Sequence, residues 1–307
     1  MIADKPPQTY LEQLEILKNR GMGVQDEAKA LHILKHHNYY RLSAYRFPFV
    51  EKANPDRYHP GTTFEDLWRL YCFDRGLRQL VNEACNRVEI SIRARWAYVL
   101  GHEYGPQAYE DPANFRDHPP HTRQLSSLDD ELNRSDEVFV THYRNKYRMD
   151  RPPIWAACEV MSFGLLSRFY TNIRHDRDKK RIAQTYQLSI EVLKSLLEHT
   201  VYLRNLCAHH SRLWNRRFTV TVKLPTSKPA ELIPNLHPTQ NRRLYNSLVL
   251  LIHMIQIIEP DSHWPDRMME HIKCLDPKLI FTMGFPNDWR SRPIWGEIRS
   301  RKKNNEK

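Results

Sequence analysis

Cysteine is scarce and unpaired in this chain. Cys72, Cys85, Cys158, Cys207 and Cys274 are odd in number, widely separated and without a Cys-x-x-Cys spacing. A disulfide framework and a zinc cluster are therefore both excluded, and a reducing cytoplasm is the expected compartment. Long hydrophobic runs are also missing. The greasiest stretch, residues 248–258, contains His253 and Gln256 and is too short to span a bilayer, so it predicts a core helix and no membrane partner. Residues 1–10 carry Asp4, Pro6 and Pro7 where an export signal needs a basic stretch and then an apolar run, so no such signal is expected. No Asp, Glu and His grouping has metal-ligand spacing, and neither a metal nor a cofactor is expected. Internal repeats and low-complexity tracts are absent as well.

What is present is positive charge on a globular composition. The 307 residues are 40% hydrophobic and 27% charged, enough for one large core or two modest ones. Lysine and arginine outnumber acids 47 to 36, giving a net charge of +11 and a pI near 9.4. That excess favours an anionic partner, with nucleic acid ahead of a membrane surface.

Apolar periodicity predicts mostly helices joined by proline-marked connections, without the alternating strand and helix signals of a parallel sheet. Short helices are expected at 10–20 and 26–36, followed by an aromatic cluster interleaved with arginine from Asn38 to Phe49. Residues 63–100 form the longest helical pattern, with Gly76 as a candidate bend and Arg75, Arg78, Arg87, Arg93 and Arg95 as a basic wall. The other reading of that wall is a solvated face of paired Glu and Arg. Further helices are expected near 121–133, 135–147, 152–172, 188–206, 240–259 and 264–274. Glu159, among apolar neighbours, would need a cation if buried. Alternation at Phe218, Val220, Val222 and Leu224 predicts one short strand or hairpin arm. The fold class is thus all-α, a helical bundle with at most a short β-hairpin. Residues 1–62 are an N-terminal extension, 63–290 the body and 291–307 a charged tail.

The most informative stretch is Arg204-Asn205-Leu206-Cys207-Ala208-His209-His210-Ser211-Arg212-Leu213-Trp214, at the end of the helix that starts at Ser189. Imidazole exchanges a proton near neutrality, while guanidinium stays charged and grips phosphate with a planar fork, so the pair suits phosphodiester cleavage. Spacing alone is weak with 16 histidines present, since Arg95 with His102, Arg116 with His121 and Arg168 with His175 satisfy it too. Five helical positions turn the direction by roughly 140°. Either Arg204 curls round, or the helix ends near His209, or a second copy of the chain completes the cleft, the arrangement expected here. Arg41, Arg87, Arg93, Arg212, Arg216 and Arg217 are the candidate RNA-binding residues.

Several segments in order resemble the abortive-infection Abi-like family (AbiD/AbiF type), a branch of the HEPN nucleases. They are Asn38-Tyr39-Tyr40-Arg41-Leu42-Ser43, Arg87-Val88-Glu89-Ile90, Pro153-Ile154-Trp155 with Glu159 and Ser162-Phe163-Gly164, Arg204 through His210, and Met283-Gly284-Phe285-Pro286 with Trp289. The resemblance implies an all-α HEPN bundle, pairing of two bundles as a homodimer around one cleft, and metal-independent cutting of an RNA substrate. It also implies toxin-like behaviour restrained by a small regulatory RNA or triggered by infection. Arg204, Asn205 and His209 take the positions of its motif, and His210 also falls within the permitted spacing. Two other readings stand beside the nuclease. One is a non-catalytic module in which Arg204 holds phosphate and His209 packs. The other is a buried polar network of Arg204 and His209 at a dimer seam.

Overall fold

The computed structural model of the chain describes residues 6–296, so the charged run at 299–307 and the first five residues lie outside the described part. Helix α1 (Tyr10–Asn19) opens on a capping box: Thr9 accepts from the Glu12 amide and the Glu12 carboxylate accepts from the Thr9 amide. It buries Leu14 and Leu17 and packs on α2 (Glu27–His36), which Asp26 caps. Asn38 starts the short α3 (Tyr39–Ser43), and the aromatic run then turns through a 3-10 segment at Phe47–Phe49.

A second capping box, Thr63 with Asp66, starts α4 (Phe64–Tyr104), whose 41 residues extend about 60 Å at 1.5 Å per residue. The chain continues through α5 (His118–Asn133), α6 (Val138–Tyr147), α7 (Ile154–Val160), α8 (Phe163–Asn172), α9 (Asp176–Thr185) and α10 (Ile190–Ala208). It ends in α11 (Leu244–Ile258), α12 (Trp264–Lys273) and α13 (Pro277–Phe281). Helix α4 is the axis of the molecule, with α3 and each helix from α7 to α12 packed against it. The class is all-α: the described residues hold no strand, only isolated bridges. Every residue from Leu244 to Ile255 is buried, the all-round burial that the greasy run requires.

Two local expectations are corrected. The alternating segment after Trp214 buries Phe218 and Val222 but pairs with no strand. Its backbone is satisfied elsewhere: the Val220 carbonyl accepts from His199 at 2.9 Å, the Lys223 amide donates to Ser195, and the Phe218 amide donates to the Arg242 carbonyl at 2.9 Å. Residues 152–172 are two helices, because Ser162 leaves helical geometry and caps α8. Gly76 does not interrupt α4. A Cβ there would lie 2.6 Å from the ring of His271, whose Nε2 donates to the Phe73 carbonyl at 2.9 Å, so the glycine admits α12.

The N-terminal extension is docked on the body. The Tyr45 hydroxyl donates to Asp74 on α4 at 2.6 Å, and the guanidinium of Arg212 stands 5.4 Å over the ring of Phe47.

Candidate nucleic-acid interface and active site

Helix α10 begins at Ser189, which caps the Val192 amide, and its last helical residue is Ala208, with His209 as C-cap. The His210 amide donates to the Cys207 carbonyl at 3.0 Å and the Ser211 amide to the Leu206 carbonyl at 2.8 Å. Those two bonds close a Schellman turn, in which His210 takes the left-handed position at φ 53° that glycine usually fills. A side chain there costs on the order of 1 kcal/mol. From α3, Arg41 donates Nη1 to the His210 carbonyl at 2.9 Å and ties the turn to the N-terminal extension.

This turn forms one end of a groove of about 790 Å³ between α2, α3, α4 and α10. Arg41, Arg75, Arg78 and Arg204 supply its charge, His36, His37 and His210 its imidazoles, and no aspartate or glutamate lines it. Arg204 is half-buried and has neither a hydrogen bond nor an ion pair, so its fork is available to a ligand. Asn205 and His209 are exposed and lie outside the groove lining. Of the two adjacent histidines at the end of α10, His210 therefore shares a cavity with Arg204 inside one protomer, together with His36 and His37 from the end of α2.

Beside the groove, burial produces a different arrangement. The carboxylate of Asp74 is fully enclosed and accepts from Arg78, from Tyr45, and from the amides of Leu213 at 3.1 Å and Trp214 at 2.6 Å. Burial pushes the Asp74 carboxyl up, against the pull of Arg78 and of those donors. The same burial pushes the Tyr45 hydroxyl well above its usual range, and Asp74 adds to the effect. Two consecutive amides just past the motif thus hang on one carboxylate of α4. Within one chain, the buried polar network beside the motif is formed by Asp74, Arg78 and Tyr45.

Of the six candidate RNA-binding arginines, only Arg41 lines the groove. Arg87 is committed to Glu83 at 2.7 Å, Glu259 at 2.8 Å and the Ser262 hydroxyl, and Arg93 to Glu89 and the carbonyls of Cys158 and Glu159. Both are occupied structural cations, and the basic wall of α4 is in large part the face of paired Glu and Arg. Arg212 lies between the rings of Phe47 and Trp214, where burial lowers its pKa, and Arg216 donates to the Arg212 carbonyl at 3.3 Å. Arg217 is exposed without a partner. The buried glutamate is Glu89; Glu159 faces solvent.

Beside Arg75 of the basic wall, Gln79, Asn82 and Asn86, which the sequence analysis does not single out, line the groove from α4. Counted from Arg75, their spacing of four, three and four was a legible signal, since it places them on one helical face. The competing pair Arg116 and His121 is ruled out by burial: His121 donates Nε2–H to the Tyr109 carbonyl from inside the core, and Arg116 is ion-paired to Asp176. A second recess of about 630 Å³ is lined by Glu110, Asp129 and Arg151, whose charges close on one another at 2.7 and 3.1 Å. Among the described residues no three His, Cys, Asp or Glu side chains are grouped to hold a metal ion, and no helix is long and apolar enough to cross a membrane.

Compared with known families, residues 32–215 match the one described as Abi-like protein, more than half of the chain. The matched span contains all the groove-lining residues, from His36 to His210, and stops before Met283-Gly284-Phe285-Pro286. That last segment is architectural: Gly284 sits at φ 85° against Arg243, and Phe285 packs with Trp289 and Trp295. No curated protein and no solved structure matches the chain.

Proposed function

The chain belongs to the Abi-like protein family, and on that premise we propose that it is a HEPN-type endoribonuclease of abortive infection that cuts RNA without a metal ion. The observation that carries the reading is the groove itself: an unpartnered Arg204, three further arginines and His210 line one cavity from which carboxylates are missing. Such a lining attracts a polyanion and offers phosphate several planar forks. It provides no carboxylate to hold a divalent cation, so the chemistry falls to imidazole and guanidinium.

In the reaction, a histidine at the end of α10 takes the proton of a ribose 2′-hydroxyl, and the 2′-oxygen attacks the adjacent phosphorus. Arg204 stabilises the charge gathering on the phosphorane, the bond to the 5′-oxygen breaks, and the products carry a 2′,3′-cyclic phosphate and a 5′-hydroxyl. A positioned base contributes about 10²- to 10⁴-fold and electrostatic stabilisation about 10²- to 10³-fold. Asn205 and His209 are exposed at the end of α10, and a homodimer packed there would bring two motifs to one seam.

The test is cleavage of RNA by the purified protein with EDTA present. Arg204→Ala, and His209→Ala combined with His210→Ala, each slow cutting by about 10²-fold or more while the melting temperature stays within a few degrees of wild type. Cutting near the wild-type rate in either variant, or cutting lost on chelation, contradicts the proposal. The other reading, a non-catalytic RNA-binding module, predicts salt-sensitive RNA binding by a wild-type protein that generates no new RNA ends.

A further inference from the structure

The geometry points to His210, and not its neighbour His209, as the proton-transfer residue of the groove, with Arg41 of the N-terminal extension as its positioning residue. This rests on the nuclease reading and identifies which imidazole serves it. Three observations converge. First, His210 lines the cavity that Arg204 lines, whereas His209 and Asn205 do not. Secondly, the chain holds a histidine in the left-handed conformation that closes α10, at a position where glycine would carry no penalty. Arg148, Gln187 and Asn215 also have positive φ, but His210 alone of the four lines this groove. Thirdly, the turn is held from both sides: the amides of His210 and Ser211 return to the Cys207 and Leu206 carbonyls, and the His210 carbonyl accepts from Arg41 at 2.9 Å. The imidazole therefore projects from a fixed backbone, and a segment 169 residues away in sequence fixes it.

The step balances within the groove. A neutral His210 nitrogen accepts the 2′-hydroxyl proton as the 2′-oxygen bonds to phosphorus. The phosphorus–O5′ bond breaks with its electron pair on O5′, which takes a proton from water, and the imidazolium returns its proton to solvent. Arg41 acts through the backbone of His210, which makes α3 part of the site and not a separate RNA-gripping unit.

Left-handed geometry provides an unusually clean variant. His210→Gly removes the imidazole while relaxing the backbone, so it is expected to melt no lower than wild type yet cleave RNA about 10²- to 10⁴-fold more slowly. Added imidazole should restore cutting in His210→Gly, since the deletion leaves space beside Arg204, and should restore none in His209→Gly. Arg41→Ala is expected to lower the rate and move its pH profile, a change that lost RNA affinity alone would not produce. Wild-type cleavage rates in His210→Gly, or imidazole rescue confined to His209→Gly, would leave the nuclease standing and overturn this assignment. A wild-type protein that cuts no RNA removes both.

Discussion

Arg78 on α4 and Arg204 on α10 line the same groove, yet they live in opposite electrostatic conditions. Arg78 is buried and ion-paired to Asp74, with Tyr45 as a further partner at 3.2 Å; Arg204 is half-buried and has no partner. The same side chain is a structural cation in one place and an open phosphate site in the other. What separates them is a carboxylate within reach, because removing a charge from water is tolerated only when a counter-charge and hydrogen bonds replace the solvent. The contrast extends along α4, where Glu83 and Glu89 occupy Arg87 and Arg93 while Arg75, four residues before Gln79, stays free.

Breaking the buried side should have the largest effect. Asp74→Ala strands Arg78 and two backbone amides, and is expected to cost about 3–5 kcal/mol of stability, read as a large fall in melting temperature with cleavage lost alongside. Breaking the open side should act on chemistry alone: Arg204→Ala is expected to cost roughly 3–4 kcal/mol of transition-state stabilisation, seen as a 10²- to 10³-fold slower cut at nearly unchanged melting temperature. If Arg204→Ala melts as early as Asp74→Ala, the distinction between the two arginines fails.

Acid provides the next largest effect. His199 donates Nδ1–H to the Val220 carbonyl and accepts from the Ser247 hydroxyl at 2.7 Å, and burial pushes its pKa down from 6.5 to about 4. Above pH 6.5 the imidazole is neutral folded and unfolded, and its contribution is fully present. As pH falls toward 4 the unfolded chain binds a proton that the native state refuses, so roughly 3 kcal/mol is lost by linkage. His121, His253 and His271 shift in the same direction, also through burial. Urea titrations at pH 7 and pH 4.5 measure the loss, and His199→Gln should flatten it. The smallest effect is expected at Arg87→Gln, which removes partly exposed ion pairs worth about 0–1 kcal/mol and should leave cleavage unchanged. A marked drop in RNA cutting there would mean that the occupied arginines also face the substrate.

Much of this architecture could be read from spacing. The start at Ser189, the buried α11 and the long α4 follow from caps and apolar period, and the Abi-like resemblance from residues 38–43 and 204–210 agrees with the matched span. The break at Ser162 is legible in part, since serine is a favoured N-cap, although the apolar run continues through it. Other features depend on contacts that no local pattern contains. The left-handed turn at His210 relies on Arg41, and the amides after the motif rely on Asp74, about 140 residues earlier. Alternation at Phe218 to Leu224 records one buried face, but it cannot tell a partner strand from the side of α10. The occupation of Arg87 and Arg93 follows in part from glutamates four residues before each, which favour pairing over a nucleic-acid face.

The central claim is that an open guanidinium and an imidazole at the end of α10 cut RNA by 2′-oxygen attack. Its most direct test is to incubate wild type and Arg204→Ala with total cellular RNA in EDTA and to determine the chemistry and position of the new ends. New fragments bearing 2′,3′-cyclic phosphates and 5′-hydroxyls from wild type, formed about 10²- to 10³-fold more slowly by Arg204→Ala, are the predicted result. Identical ends formed at the same rate by both proteins, or 5′-phosphate ends that vanish with chelator, would contradict it.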